Sequence, residues 1–290
     1  MQGGASSVLC IEFSDSRYPA QLREITDPPM QLYVRGNPDV LSGPIISIVG
    51  SRKSSVYGHK VVCEFVPRLL PAAAICSGLA LGIDSAAHAA TLENKGITIA
   101  VLGSGVDDEN IYPKSHLRLA HRIIASGGCV ISEYPCGTQA FKSQFPARNR
   151  IIAGLARAIV IVEADEDSGT MITANRALDY NRDVFAVPGS VFSPTSRGTH
   201  KLLSSGARIA ASPEHILQAL QFEIPPALQQ QRLLLAPDES ELFKQLSSEP
   251  ISLDALAQKL NRPIIEIAQI MMRLELLGAV TKVPGRGYLV

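Results

Sequence analysis

The sequence predicts an α/β fold, a doubly wound and mostly parallel sheet, followed by a small C-terminal winged-helix module. Three observations carry this. Six near-continuous apolar runs alternate with helical stretches between residues 45 and 190, small residues cluster at the ends of those runs, and the composition changes abruptly after residue 221. Apolar strands without polar alternation, separated by helices, belong to parallel sheets covered on both faces.

Residues 1–44 read as a lead-in, VLCIEF and then YPAQLREITDPPMQLYVRGN, with Pro28-Pro29 and Gly36-Asn37-Pro38 punctuating short extended pieces. These pieces are expected to pack along the main domain rather than to form one. The main domain covers residues 45–221. Its strands are expected at 45–50, 72–78, 97–105, 129–137, 158–164 and 183–190, and its helices near 57–70, 84–95, 115–126, 147–156, 171–181 and 197–205. A last apolar piece, ARIAAS, and the helix PEHILQAL close it near Leu220.

Residues 222–236, with Pro225-Pro226 and a glutamine run, read as an exposed linker. Within 237–290 the pattern is helix (239–247), helix (252–259), a turn at Asn261-Arg262-Pro263, a longer helix (264–277), and a hairpin through Pro284-Gly285-Arg286-Gly287. That order is the winged-helix pattern. The third helix is apolar at Ile264, Ile265, Ile267, Ile270, Met271, Leu274 and Leu277. Few donors remain there for base edges, which favours protein contact or dimer packing over sequence-specific DNA reading.

Lys+Arg and Asp+Glu balance at 27 each, so no global positive field advertises nucleic acid and a DNA-binding surface must be a local patch. Cysteines 10, 63, 76, 129 and 136 form neither a CxxC pair nor a zinc spacing, as expected of reduced thiols in a cytosolic protein. No run of about 18 apolar residues occurs, and the start lacks the basic-then-apolar order of a signal peptide. A cytoplasmic protein without a membrane partner is expected.

Ligands of open parallel sheets bind at the C-terminal ends of the strands. Those ends carry Gly50-Ser51-Arg52, Ser77-Gly78, Gly103-Ser104-Gly105, Ser132-Glu133, Glu163-Ala164-Asp165 and Pro188-Gly189-Ser190. The stretch SGLALGID (77–84) runs from a strand through a glycine turn into an Ala-rich helix, a plausible phosphate cradle. SGTMIT (168–173) enters a helix in a similar way. The named nucleotide motifs fail, however. Neither GxGxxG nor GxxxxGK[ST] is present, so no nucleotide cofactor is expected. Glu163, Asp165, Glu166 and Asp167 read as a solvated acidic loop, His88 as structural, and His116, His121 and His200 lack metal spacing; no metal site and no catalytic set emerge.

The strongest local signal is FKSQFPARNR (141–150). Pro146 suits the first turn of a helix. Arg148 and Arg150 would then lie near its positive end, where cations are unfavourable without an anion or a carboxylate. Lys142 and Phe145 stand just before them. Cations that track phosphates, beside a ring that can stack a base, are what single-strand binders use. The competing reading is ion pairing with Glu133 or the 163–167 acids, with Phe145 buried. Arg52, a cation at another strand end, tips the balance toward binding.

Taken in order, these stretches resemble the DprA/Smf family of DNA-processing proteins. The resemblance is carried by IVGSR (48–52), YG (57–58), SGLALGIDSAAH (77–88), TIAVLGSG (98–105), YP (112–113), SEYPCG (132–137), FPARNRIIAGL (145–155), VIVEADEDSGTMITA (160–174), DVFAVPGS (183–190) and SRGTHKLL (196–203). It implies an extended Rossmann fold that binds single-stranded DNA without a cofactor or catalysis. It also implies protection of incoming strands during natural transformation, loading of the RecA recombinase on them, and homodimerisation through the Rossmann domain. Residue by residue, it carries over Arg52, Lys142, Arg148 and Arg150 as phosphate partners and Phe145 as a base contact. Gly50, Ser51, Gly78 and Gly103 would bring backbone N–H groups to phosphates. Many members have an additional N-terminal helical domain, which the sequence is not expected to include.

Two other readings compete. A nucleotide phosphoribohydrolase of the lysine-decarboxylase-like group would need a GGxGTxxE turn, and Thr173 stands where its catalytic Glu belongs. A winged-helix regulator would need base-reading side chains on helix 264–277.

Overall fold

Each of the six apolar runs forms a strand, shorter than its run because the glycine and serine at its end already belong to the following loop. The strands are β3 (Ile45–Val49), β4 (Ala74–Ser77), β5 (Thr98–Leu102), β6 (Cys129–Ser132), β7 (Ala158–Ile161) and β8 (Asp183–Ala186). Every position of β3, β5, β6 and β7 is buried, which is why these strands show no polar alternation. The computed structural model describes residues 8–222, 237–247, 250–276, 279–283 and 287–289. They fall into two units that divide between Ile224 and Pro225.

In the first unit, helices α2 (Val56–Leu69), α3 (Ile83–Glu93), α4 (Leu117–Ala125), α5 (Gln144–Leu155), α6 (Gly169–Asp179) and α7 (Arg197–Ser204) connect the strands. A short β9 (Arg208–Ile209) and α8 (Pro213–Ala219) complete it. The lead-in supplies β1 (Val8–Glu12), α1 (Ala20–Arg23) and β2 (Gln31–Gly36). Its strands do more than pack along the domain: they extend the sheet. The order is β1-β2-β6-β5-β4-β3-β7-β8-β9, parallel from β6 to β9, with β2 antiparallel to β6 and β1 antiparallel to β2. In β2, Leu32 and Val34 are buried while Gln31 is exposed, the alternation of an antiparallel strand covered on one face.

The sheet has a core on each face. Ile99, Val101, Ile131, Ile159 and Ile161 pack with Leu22 of α1, Ile151 and Leu155 of α5 and Met171 of α6. On the other face Ile46, Ile48, Ile75 and Val160 pack with Val62 and Val66 of α2, Ile83 and Ala87 of α3, and Ile216 of α8. From β3 the chain winds outward to β4 on one side, and it returns to β7 on the other. The crevice over the C-terminal ends of β3 and β7 is therefore the topological switch point, where such sheets bind ligands.

The second unit contains α9 (Pro237–Phe243), α10 (Leu253–Leu260), α11 (Ile264–Leu276) and the antiparallel hairpin β10 (Thr281–Val283) and β11 (Gly287–Leu289). Asn261 ends α10 in the left-handed conformation, φ 50°, as a helix stop. Leu242, Leu256, Ile267, Ile270, Met271, Leu274, Val280 and Tyr288 form its core. This is a winged helix, with Ile265 and Met272 exposed on α11. The expected linker beyond Phe222, Leu277 and the hairpin turn at Pro284–Arg286 lie outside the described residues.

Candidate nucleic-acid interface

Two helix N-termini at the strand ends, those of α2 and α3, are already compensated by the protein's own carboxylates. At the start of α2, Glu163 accepts from Ser55 N (2.9 Å) and Ser55 Oγ (2.5 Å), and from Thr195 Oγ1 (3.1 Å). Glu163 is only 3% exposed. At the turn into α3, Asp84 Oδ2 accepts from Gly78 N (3.1 Å) and Ala80 N (3.4 Å). A positive helix end holding a fixed carboxylate has little left for a phosphate.

Two of the strand-end N–H groups expected to face a phosphate are committed inside the protein. Ser51 N donates to Glu163 O at 2.8 Å, and Gly78 N to Asp84. Gly50 and Gly78 are small for internal reasons. A β-carbon at residue 50 would come within 2.6 Å of Ile83 Cγ1, and one at residue 78 within 2.6 Å of both Arg148 and Asp84. Gly103 is buried against the start of α5, where a β-carbon would come within 3.3 Å of Phe145 Cδ1. Ser51 and Gly78 thus shape the floor and do not present free donors, a correction to their expected role.

Arg148 requires the larger correction. It is 4% exposed, and its guanidinium donates to Gly78 O (2.7 Å) and to Val101 O. Helix α5 begins at Gln144, three residues before the expected start. Arg148 is therefore a full turn inside the helix, on the face toward β4 and β5. Burial pushes its pKa down to about 10, against the pull of Asp84, so it stays charged at neutral pH. Burial likewise raises the Asp84 carboxyl, with Arg148 opposing. Arg148 and Asp84 are opposite charges beside Gly78, buried inside the protein rather than on its exposed surface. Arg150 follows the competing reading: it bonds Glu133, lies 3.7 Å from Asp27, and its side chain is 14% exposed.

His88 is structural, as expected. Thr98 Oγ1 donates to Ile75 O (2.7 Å), so the His88 Nδ1–H must donate to Thr98 Oγ1 (2.7 Å). Its Nε2 is buried without a partner, and burial holds the imidazole pKa down at about 3. Among the described residues no group of three or more His, Cys, Asp or Glu could hold a metal. Thr173 is buried and bonds Gly169 O (3.4 Å), which leaves no carboxylate at the hydrolase position.

What remains exposed forms one cluster. The Arg52 guanidinium carbon lies 5.4 Å from the centroid of the half-buried Phe145 ring. Tyr112 lies on Phe145 as well, centroids 5.5 Å apart and tilted by 41°. Arg52, Lys53 and Lys142 are exposed, and none makes an ion pair among the described residues. Phe141 is exposed beside Lys142. Of these, sequence reasoning missed Tyr112 and Lys53. The YP pair was visible, but its contact with a ring 33 residues later was not. An arginine stacked on an aromatic ring, with free lysines beside it, can hold phosphates and a base together.

Comparison with known proteins places the chain in a family. The family described as DNA recombination-mediator protein A matches residues 9–221, and the DprA winged helix domain matches residues 225–286. The chain is 38% identical to Protein Smf of Escherichia coli over 284 residues, covering 93% of this chain and 74% of that protein. It is 46% identical to DNA processing protein DprA of Streptococcus pneumoniae over 208 residues, covering 72% and 73% of the two. The crystal structure of the S. pneumoniae protein superposes with a TM-score of 0.69 at 44% identity, covering 74% of this chain and 75% of that one. A Helicobacter pylori DNA processing protein A, described for its single-stranded DNA binding mode, superposes at 0.65 with 29% identity, covering 74% and 95%. The chain belongs to the DNA recombination-mediator protein A family, also called DprA/Smf.

Proposed function

We propose that the chain binds single-stranded DNA over the C-terminal ends of β3 and β5, as a binding protein and not an enzyme. Arg52, Lys53 and Lys142 hold phosphates, Phe145 and Tyr112 contact a base, and Gly50, Ser51, Gly78 and Gly103 keep the floor low. The protein works in the cytoplasm as a homodimer and passes the strand to the RecA recombinase during natural transformation or homologous recombination. Family membership and the named binding mode of the H. pylori relative support this reading.

The observation that carries it is Arg52 stacked on Phe145 with unpaired Lys142 beside them. Stacking serves unpaired bases, which expose their faces; a duplex does not. Fluorescence anisotropy with single- and double-stranded oligonucleotides of one sequence tests the reading. Single strands should bind more tightly, with affinity falling steeply as salt rises. Arg52→Ala and Lys142→Ala should each weaken binding about tenfold, as the loss of one charge-assisted contact would. Equal affinity for duplex, or salt-insensitive binding, contradicts it.

A further inference from the structure

The loop after β8 carries the most exposed large apolar side chain among the described residues, Phe192 at 93%. Its neighbour Val191 is exposed too, as are Val56 and Tyr57 at the start of α2. Tyr57 lines a cavity of about 530 Å³ together with Ser55, Glu163, Gly189, Ser190 and Ser193, and Val191 and Phe192 lie in the chain between the last two of these. Exposing such a ring opposes the hydrophobic effect, and patches of this kind mark binding sites.

The loop is held in place. Tyr57 Oη donates to Pro188 O (2.6 Å), Phe192 N to Ser190 Oγ (3.3 Å), Ser193 N to Ser190 O (3.0 Å), and Ala164 N to Thr195 O (2.8 Å). Phe192 is therefore presented on a pinned loop, which lowers the entropy cost of using it.

Charge selects the occupant. The β3–α2 loop that ends in the cavity wall at Ser55 also carries Arg52 and Lys53. Arg197, exposed and without an ion pair among the described residues, opens α7 just past Ser196. The wall itself holds hydroxyls and the buried Glu163 carboxylate, which would repel a phosphate from the interior. Cations on the flanking loops, hydroxyls within and an exposed aromatic ring on the loop that supplies Ser190 and Ser193 suit a nucleotide whose phosphate stays outside and whose base enters. The volume is within the range of small-ligand pockets.

We propose that this cavity is a second nucleotide subsite, taking one unpaired base of the strand held at Arg52 and Phe145, stacked on Phe192. It rests on the single-strand reading above. The test titrates oligothymidylates of increasing length, and one long oligonucleotide with 2-aminopurine moved along it, into wild type and Phe192→Ala. Phe192→Ala should lose about 5- to 100-fold affinity for long oligonucleotides and none for those too short to span both subsites. Its salt dependence should be unchanged, Phe192→Tyr should restore affinity, and one 2-aminopurine position should lose its fluorescence quenching. Equal affinity of wild type and Phe192→Ala at every length overturns the subsite and leaves single-strand binding standing. A change in oligomeric mass instead, with binding intact, assigns the loop to protein contact and overturns it too. If wild type binds no single strand at all, the underlying reading has failed. Because Phe192 touches so little, Phe192→Ala should retain the wild-type melting temperature.

Discussion

One ten-residue stretch, 141–150, places cations in two opposite environments. Before and at the start of α5, Lys142 is exposed and Phe145 carries the Arg52 guanidinium on its ring. One turn later Arg148 is buried against Gly78 and Val101, and Arg150 is bonded to Glu133. The side-chain chemistry of the arginines is the same. Their partners differ: Arg52 retains its capacity for an external anion, whereas Arg148 already has an internal one in Asp84. A cation at a strand end thus reads as a ligand contact only once the protein's own carboxylates have been accounted for. Glu163 at α2 and Asp84 at α3 make that point for the two helix ends that would otherwise cradle phosphates.

The largest expected effect tests the buried side. Arg148→Ala leaves Asp84 without its opposing charge and two carbonyls without their donor, which should cost about 3–5 kcal/mol of stability. Urea unfolding followed by circular dichroism measures it. Arg52→Ala should lie within about 0.5 kcal/mol of wild type in the same assay. A stable Arg148→Ala variant that merely loses DNA affinity would break the comparison.

Acid should act on the same buried cluster through His88, whose charged form is disfavoured by burial and by nearby His116 and Arg148. Its folded pKa of about 3 lies below the 6.5 of an unperturbed imidazole, so the unfolded chain takes up the proton first. The contribution is complete above pH 6.5 and is lost as pH falls from there toward 3. Between pH 6.5 and 5 that amounts to about 2 kcal/mol. Unfolding free energies of wild type and His88→Gln should diverge by that amount across this range. Parallel curves would show that His88 is not held neutral.

Much of this was legible in the order of the residues. The six buried strands, the helices between them and the winged helix follow from hydrophobic period and turn residues, and the motif succession pointed to the family. The roles of individual cations were less legible. α5 starts at Gln144 rather than 147, which puts Arg148 a full turn inside the helix, and its bonds to Gly78 and Val101 are tertiary contacts that helix-end signals do not reveal. The pairing of Arg150 with Glu133 and the stacking of Tyr112 on Phe145 are tertiary contacts with no local signature. The lead-in was read as extended pieces, but its joining of the sheet was not legible because β2 pairs with β6 about a hundred residues away and β1 pairs only with β2.

The central claim is that Arg52 and Lys142, unlike Arg148, neutralise DNA phosphates. It is tested most directly by the slope of log affinity for single-stranded DNA against log salt concentration, for wild type and for the Arg52→Ala/Lys142→Ala double variant. Each phosphate contact on a single strand contributes about 0.7 to that slope, so the double variant should be shallower by about 1.4. A double variant that binds more weakly with an unchanged slope would contradict the account.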